Sequence, residues 1–259
     1  MIFYFSGTGN TKWAAKIIAK ATNDQLIDIC NVDWNKSYVL GKDERLGFAF
    51  PIHGWRPPVI VRNFVHKLNI DNALNHFSYA ICTAGDNIGE ALRIFSGDLE
   101  IKGITLDGMC SLIMPESYVG LPFMDVDTPD NERQKKEKAK NELDKFIDII
   151  VDKKNDNGNL IIGHWPRINS RLLGALFTKY LITDKPFHVD KDKCLRCGKC
   201  AYCCPVSNIT YDRECLPQWS KNSSCLVCFS CYHHCPVHAI EYGKRTLHKG
   251  QYYYGRNNI

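Results

Sequence analysis

The chain has 259 residues, a formal net charge of +5, and globular shares of hydrophobic (44%) and charged (24%) residues. That length holds one large domain plus a small one, and so mild a positive charge permits an acidic protein partner without demanding nucleic acid or membrane. The nearest approach to a membrane span, Leu160 to Ile182, is broken by Pro166 and carries Arg167, Arg171 and Lys179, so no span is expected.

In chain order, Ile2 to Phe5 is a short apolar run that predicts a buried strand. Trp13, Ala14, Ile17, Ile18 and Ala21 follow at helical spacing. Gln25 to Cys30 alternates polar and apolar, and Leu46 to Phe50 is another apolar run, ended by Pro51. Val59 to Leu68 has helical periodicity after Pro57-Pro58. Phe77 to Thr83 predicts a fourth strand and Glu90 to Leu99 a helix, and Ile104 to Met114 contains a fifth strand. A long helix begins at Thr128-Pro129, with Thr as cap and Pro in its first turn. Its apolar face is Leu143, Phe146, Ile147, Ile150 and Val151, while Glu132 to Asp144 mixes both charges as a solvated face. Strands alternating with helices predict an α/β, doubly wound, five-stranded parallel sheet covered on both faces.

The polar, turn-rich Lys153 to Gly158 marks a boundary. Ile168, Leu172, Leu173, Leu176, Phe177 and Tyr180 then form a helical stripe, read first as a connecting helix packed on the sheet or the next domain, and second as a docking helix. From Pro186 the chain is cysteine-rich. Ten of its thirteen cysteines fall between Cys194 and Cys235, the total is odd, and Met1 to Phe5 is too short for a signal peptide. Those facts point away from a disulfide framework and toward metal in a cytoplasmic protein.

Two cysteine runs share the spacing C-x2-C-x2-C-x3-C-P. The first is Cys194, Cys197, Cys200 and Cys204 before Pro205; the second is Cys225, Cys228, Cys231 and Cys235 before Pro236. Zinc sites commonly use two separated C-x2-C pairs. Three cysteines at successive x2 intervals wrap a cubane instead, with the fourth ligand taken from the other run. That assigns Cys194, Cys197, Cys200 and Cys235 to one [4Fe–4S] cluster, and Cys225, Cys228, Cys231 and Cys204 to a second. Cys203 and Cys215 fall outside the pattern; Cys203 could replace Cys204, but Pro205 after Cys204, matching Pro236 after Cys235, favours Cys204. On these residues, Pro186 to about Gly243 resembles a bacterial-type two-[4Fe–4S] ferredoxin module, a small α+β unit.

Ser6-Gly7-Thr8-Gly9-Asn10-Thr11 lies between the first strand and first helix, where a parallel sheet presents backbone N–H groups to an anion. Lys12 stands where the third glycine of a dinucleotide loop would be, and no GK[ST] follows, so neither nucleotide motif fits. A loop of neutral donors suits a terminal phosphate monoester. The loop is similar to the FMN phosphate loop of flavodoxins, and the similarity extends over roughly Met1 to Val151. The resemblance implies two flavin-holding loops, Pro51-Ile52-His53-Gly54-Trp55 and Thr83-Ala84-Gly85-Asp86. In it Trp55 stacks on the flavin or packs as an ordinary aromatic, His53 bonds the ring or is a plain loop residue, and the peptide at Gly54 flips on reduction. The segment Met114 to Tyr118 meets either the flavin or the clusters.

The expected organisation is a flavodoxin-like FMN domain at 1–152, a linker with connecting helix at 153–185, and a two-cluster domain with a tail at 186–259. The tail combines Tyr252, Tyr253 and Tyr254 with Lys244, Arg245, Lys249 and Arg256; packing across the first domain is favoured over single-stranded nucleic-acid binding. His233-His234, inside the second run, either tunes a cluster or faces solvent. The whole resembles the flavodoxin–ferredoxin fusion proteins common among anaerobes. That resemblance implies an electron-transfer protein joining FMN, two [4Fe–4S] clusters and a redox partner protein, with no nucleic acid and a homodimer left open. The alternatives are an FMN-dependent reductase of a small substrate and a redox sensor.

Overall fold

The computed structural model describes residues 1–222 and 224–256; residues 257–259 of the expected second domain lie outside the described residues. The apolar runs form five parallel strands: β1 (Ile2–Tyr4), β2 (Leu26–Asp28), β3 (Leu46–Pro51), β4 (Ser78–Ala84) and β5 (Gly108–Ile113). Their order is β2-β1-β3-β4-β5, the doubly wound arrangement of the flavodoxin-like fold. The register places Ile2 beside Leu26 and Gly47, Phe50 beside Cys82, and Cys82 beside Ser111.

Alternation along each strand divides the core. On one face Phe3, Phe48 and Phe50 meet α2 (Val59–Lys67) and α3 (Ala91–Glu100) through Phe64 and Phe95. On the other, Ile2, Tyr4, Tyr79 and Leu112 meet α1 (Asn10–Thr22) and α4 (Pro129–Val151) through Ile18, Leu143, Phe146 and Ile150. Thr128 caps α4 by accepting the Asn131 N–H, with Pro129 in the first turn. Beyond α4 the chain returns along the sheet edge. Gly158 N–H donates to the Met109 carbonyl and Ser111 N–H to that of Asn159, which covers the open side of β5.

A helix follows in three stretches, Ile168–Leu173 and Phe177–Leu181 with wide π-type turns flanking Gly174–Leu176. Of the expected apolar stripe, Phe177 packs, against Gly54 and Tyr118, but the rest of the packed face differs. Ser170 and Gly174 are buried, whereas Ile168, Leu172, Leu173, Leu176 and Tyr180 are exposed, Leu172 by 57%. Close approach explains this: a Cβ on Gly174 would stand 2.2 Å from the Gly54 carbonyl oxygen, and Ser170 Oγ accepts the Glu90 N–H. Only small side chains allow the backbones so near.

The cysteine-rich unit has its own aromatic core of Phe187, Trp219, Phe229, Tyr232 and Tyr242. It pairs β6 (Phe187–Val189) with β9 (Ile240–Tyr242), and β7 (Ile209–Thr210) with β8 (Gln218–Trp219), each antiparallel. Two short helices, α5 (Lys199–Tyr202) and α6 (Ser230–His233), each follow a cysteine pair. The scaffold is duplicated in its backbone. Arg196 and Val227, Gly198 and Phe229, Ser207 and His238 all have positive φ, and each pair is separated by 31 residues, the offset that relates Cys194 to Cys225.

Candidate functional site

The carboxyl ends of β1, β3 and β4 open onto a cavity of about 230 Å³, where ligands bind in sheets of this order. It is lined by Ser6, Gly7, Thr8, Asn10 and Thr11, by Pro51 to Trp55, and by Thr83 to Asp86. Of the residues expected there, Gly9 alone is elsewhere. Its φ is +98°, and a Cβ on it would meet Tyr254 at 3.0 Å, so it faces the tail. Within the first loop, Ser6 Oγ accepts the Gly9 N–H, Thr8 Oγ1 donates to Ser117 Oγ, and Thr11 and Thr83 hydroxyls pair at 2.7 Å. The backbone N–H groups of Thr8, Asn10 and Thr11 find no acceptor among the described residues, leaving donors for an anion at the start of α1.

The second loop is a tight turn in which Gly54 and Trp55 both have positive φ, closed by paired backbone bonds between His53 and Arg56. Trp55 on the cavity wall holds a left-handed conformation unusual for a bulky residue. His53 lines the cavity, and burial pushes its imidazole down to about 4, so it is neutral near pH 7. Phe177 of the linker helix lies against Gly54.

The remaining wall comes from residues that periodicity did not reveal as lining: Asn87, Leu121, Met124, Phe177, Leu226, Val227 and Cys228. Asn87 directly follows an expected loop; no signal marked Phe177 or Leu226 as cavity residues. The segment Pro115 to Tyr118 also lines it. Burial raises the Glu116 carboxyl above its ordinary range, against the pull of the Tyr118 and Ser117 N–H groups it accepts.

The eight cysteines divide between two further small cavities. One is lined by Cys204, Cys225, Cys228 and Cys231, the other by Cys194, Cys197, Cys200 and Cys235. Each set draws three thiols from one run and one from the other. Cys203 and Cys215 line neither cavity; the Cys203 thiol donates to the Cys200 carbonyl. Backbone N–H groups aim at four of the sulfurs in matching pairs: Arg196 to Cys194 and Val227 to Cys225 at 3.4 Å, Asn208 to Cys204 and Ala239 to Cys235 at 3.2 Å. The left-handed residues create these contacts by turning the chain back over its thiols. Burial pushes the Cys200 thiol up to about 11 and Cys225 to about 12, and raises Cys228 and Cys231 further. All thirteen cysteines are free of disulfides. Among the described residues no three His, Cys, Asp or Glu side chains are placed to hold a single metal ion.

The nearer four-cysteine set touches the large cavity. Cys228 lines both, and a Cβ on Gly7 would lie 2.8 Å from Cys228 Cβ and 3.5 Å from its Sγ. His233 does not face solvent. It is 2% exposed, with Nε2 donating to the Ser117 carbonyl and Nδ1 accepting the Tyr252 N–H, an arrangement that requires the neutral ring. The tail packs across the first domain, with Tyr254 stacked on Trp13 at 5.4 Å.

No family model matches the chain, and no curated protein matches it. Two solved structures are similar in part. A Bacteroides uniformis protein assigned as a flavoprotein is 20% identical, over 43% of this chain and 88% of that one, with a TM-score of 0.34. The flavodoxin of Streptococcus pneumoniae TIGR4 is 16% identical, over 59% of this chain and 97% of that one, with a TM-score of 0.36. At these scores the flavodoxin-like assignment rests on strand order and register. Among the described residues no helix is long and apolar enough to cross a membrane.

Proposed function

We propose that the chain is an electron-transfer protein that holds FMN in the cavity above β1, β3 and β4 and a [4Fe–4S] cluster on each four-cysteine set. When bound, FMN supplies two-electron chemistry and a cubane one-electron chemistry. The unpaired N–H groups of Thr8, Asn10 and Thr11 suit a phosphate. Pro51 to Trp55 and Thr83 to Asp86 form the walls for the flavin ring, and Phe177, Tyr118 and Leu226 exclude water from the side facing the cysteines. Each set offers four cysteine thiols around one small cavity, three from one run and one from the other, which suits a cubane.

The observation that carries this reading is Cys228, a wall of both cavities. A residue that would ligate the nearer cluster thus stands against the cavity that would hold the flavin, so that protein, not solvent, would lie between the two groups. The outer set, with Cys197 exposed, offers the exit to a redox partner protein. Cysteines clustered without a disulfide among them suit a reducing compartment, and we place the protein in the cytoplasm.

Protein purified without oxygen is expected to carry about eight irons and one FMN per chain. Zinc in place of iron sinks the cluster half of the proposal, and a folded chain that takes up no FMN sinks the flavin half.

A further inference from the structure

The residues from Gln251 to Tyr254 join two places that are far apart in sequence. On one side, Gln251 Nε2 donates to the Tyr232 and Cys235 carbonyls, and Tyr252 N–H donates to His233 Nδ1. All three acceptors belong to the second cysteine run. On the other side, Tyr254 N–H donates to the Thr8 carbonyl at 2.8 Å, and Tyr252 Oη bonds Asn10 Oδ1 at 2.6 Å. Both of those acceptors belong to the amino-terminal loop.

The Asn10 amide has one orientation available. The Pro115 carbonyl can only accept, so Asn10 Nδ2 must face it, at 3.1 Å. Asn10 Oδ1 therefore faces Tyr252, whose hydroxyl must donate. Both partners are buried, Tyr252 at 3% exposure and Asn10 at 8%, so no water competes for the bond. Asn10 is the first residue of α1, and its own N–H is among those left without an acceptor. Holding its side chain on two sides fixes where that N–H points.

We propose that Tyr252 is a positioning residue which, acting through Asn10, sets the preference of the cavity for a phosphorylated flavin over an unphosphorylated one. The inference rests on the FMN reading above. The hydroxyl touches no part of the cavity, so its effect reaches the ligand only through the loop it holds. The expected signature is selective: binding of the phosphate suffers, and binding of the ring does not.

The test uses the full chain, freed of flavin, titrated with FMN and separately with riboflavin. Tyr252→Phe keeps the ring and removes one buried hydrogen bond. It is expected to weaken FMN about five- to tenfold while riboflavin affinity stays unchanged. In an Asn10→Ala background the same change is expected to leave FMN affinity where it was, because the intermediary is gone. Equal weakening of both flavins by Tyr252→Phe would mean a general structural role and overturn the proposal, as would no weakening of either. A wild-type chain that binds flavin yet does not distinguish FMN from riboflavin refutes the phosphate loop itself; one that distinguishes them, with Tyr252→Phe unaffected, refutes only the role of Tyr252.

Discussion

The two cysteine runs have the same spacing, left-handed residues at the same positions and the same N–H to sulfur contacts, yet they live in different surroundings. Around the first, Leu195, Arg196, Cys197, Lys199 and Tyr202 are exposed. Around the second, Val227, Phe229, Cys231, Tyr232 and His233 are buried. The left-handed position filled by Gly198 in one is filled by Phe229 in the other, and Phe229 spends its strain on packing against Phe187, Tyr118 and Tyr242. A duplicated scaffold thus serves two purposes. One copy is built into the wall of a cavity and the other is turned toward solvent.

Removing matched cysteines breaks the comparison most severely. Cys228→Ser and Cys197→Ser are each expected to reduce iron from about eight to about four per chain. Cys228→Ser alone is expected to slow electron exchange with the flavin by more than about tenfold, measured by stopped-flow absorbance; equal slowing in both variants would erase the distinction. Next in size are the paired left-handed sites. Phe229→Ala is expected to cost about 3–5 kcal/mol through its lost packing. Gly198→Ala, whose Cβ at φ +72° would press on the Tyr211 ring at 2.7 Å, costs about 1–2 kcal/mol. Denaturant unfolding ranks the two, and the reverse ranking would show that the copies are buried alike.

Gly7→Ala probes the contact that makes the runs unequal. Its Cβ would overlap Cys228 Cβ, so about 1–3 kcal/mol is expected to be lost, together with part of the flavin–cluster exchange. Unchanged exchange would show that Gly7 and Cys228 need not touch. The smallest effect concerns the open run. Arg196 and Lys199 rim the outer cavity, and neither forms an ion pair among the described residues. Replacing both by Glu is expected to slow oxidation of the reduced protein by ferricyanide several-fold at low salt, with the difference vanishing at high salt. A difference that survives high salt would rule out steering by these two charges.

The parts legible in the sequence were those set by short-range chemistry. Apolar runs between helical stripes announce the parallel sheet because the strands are buried on both faces. Two identical cysteine spacings announce two matching sets, each of which the fold completes with a thiol from the other run. Contacts between distant surfaces were not legible in this way. The linker helix packs by Ser170 and Gly174, since closeness to Gly54 excludes larger side chains, while periodicity pointed to its leucines. Gly9 turned outward because Tyr254 occupies its far side, and no local pattern at Gly9 encodes a residue so far along the chain. Phe177 and Leu226 reach the cavity for the same reason: which face of a segment meets a ligand site depends on what it docks against.

The meeting of Gly7 with Cys228 has a consequence for how the molecule is made. More than two hundred residues of translation separate the two, which at typical ribosomal speeds is roughly 10–40 s. The sheet and the loop after β1 emerge, and can fold, well before the second cysteine run exists. During that interval the cavity at the carboxyl ends of β1, β3 and β4 has one side open, and it is closed only once the second cysteine run has been made.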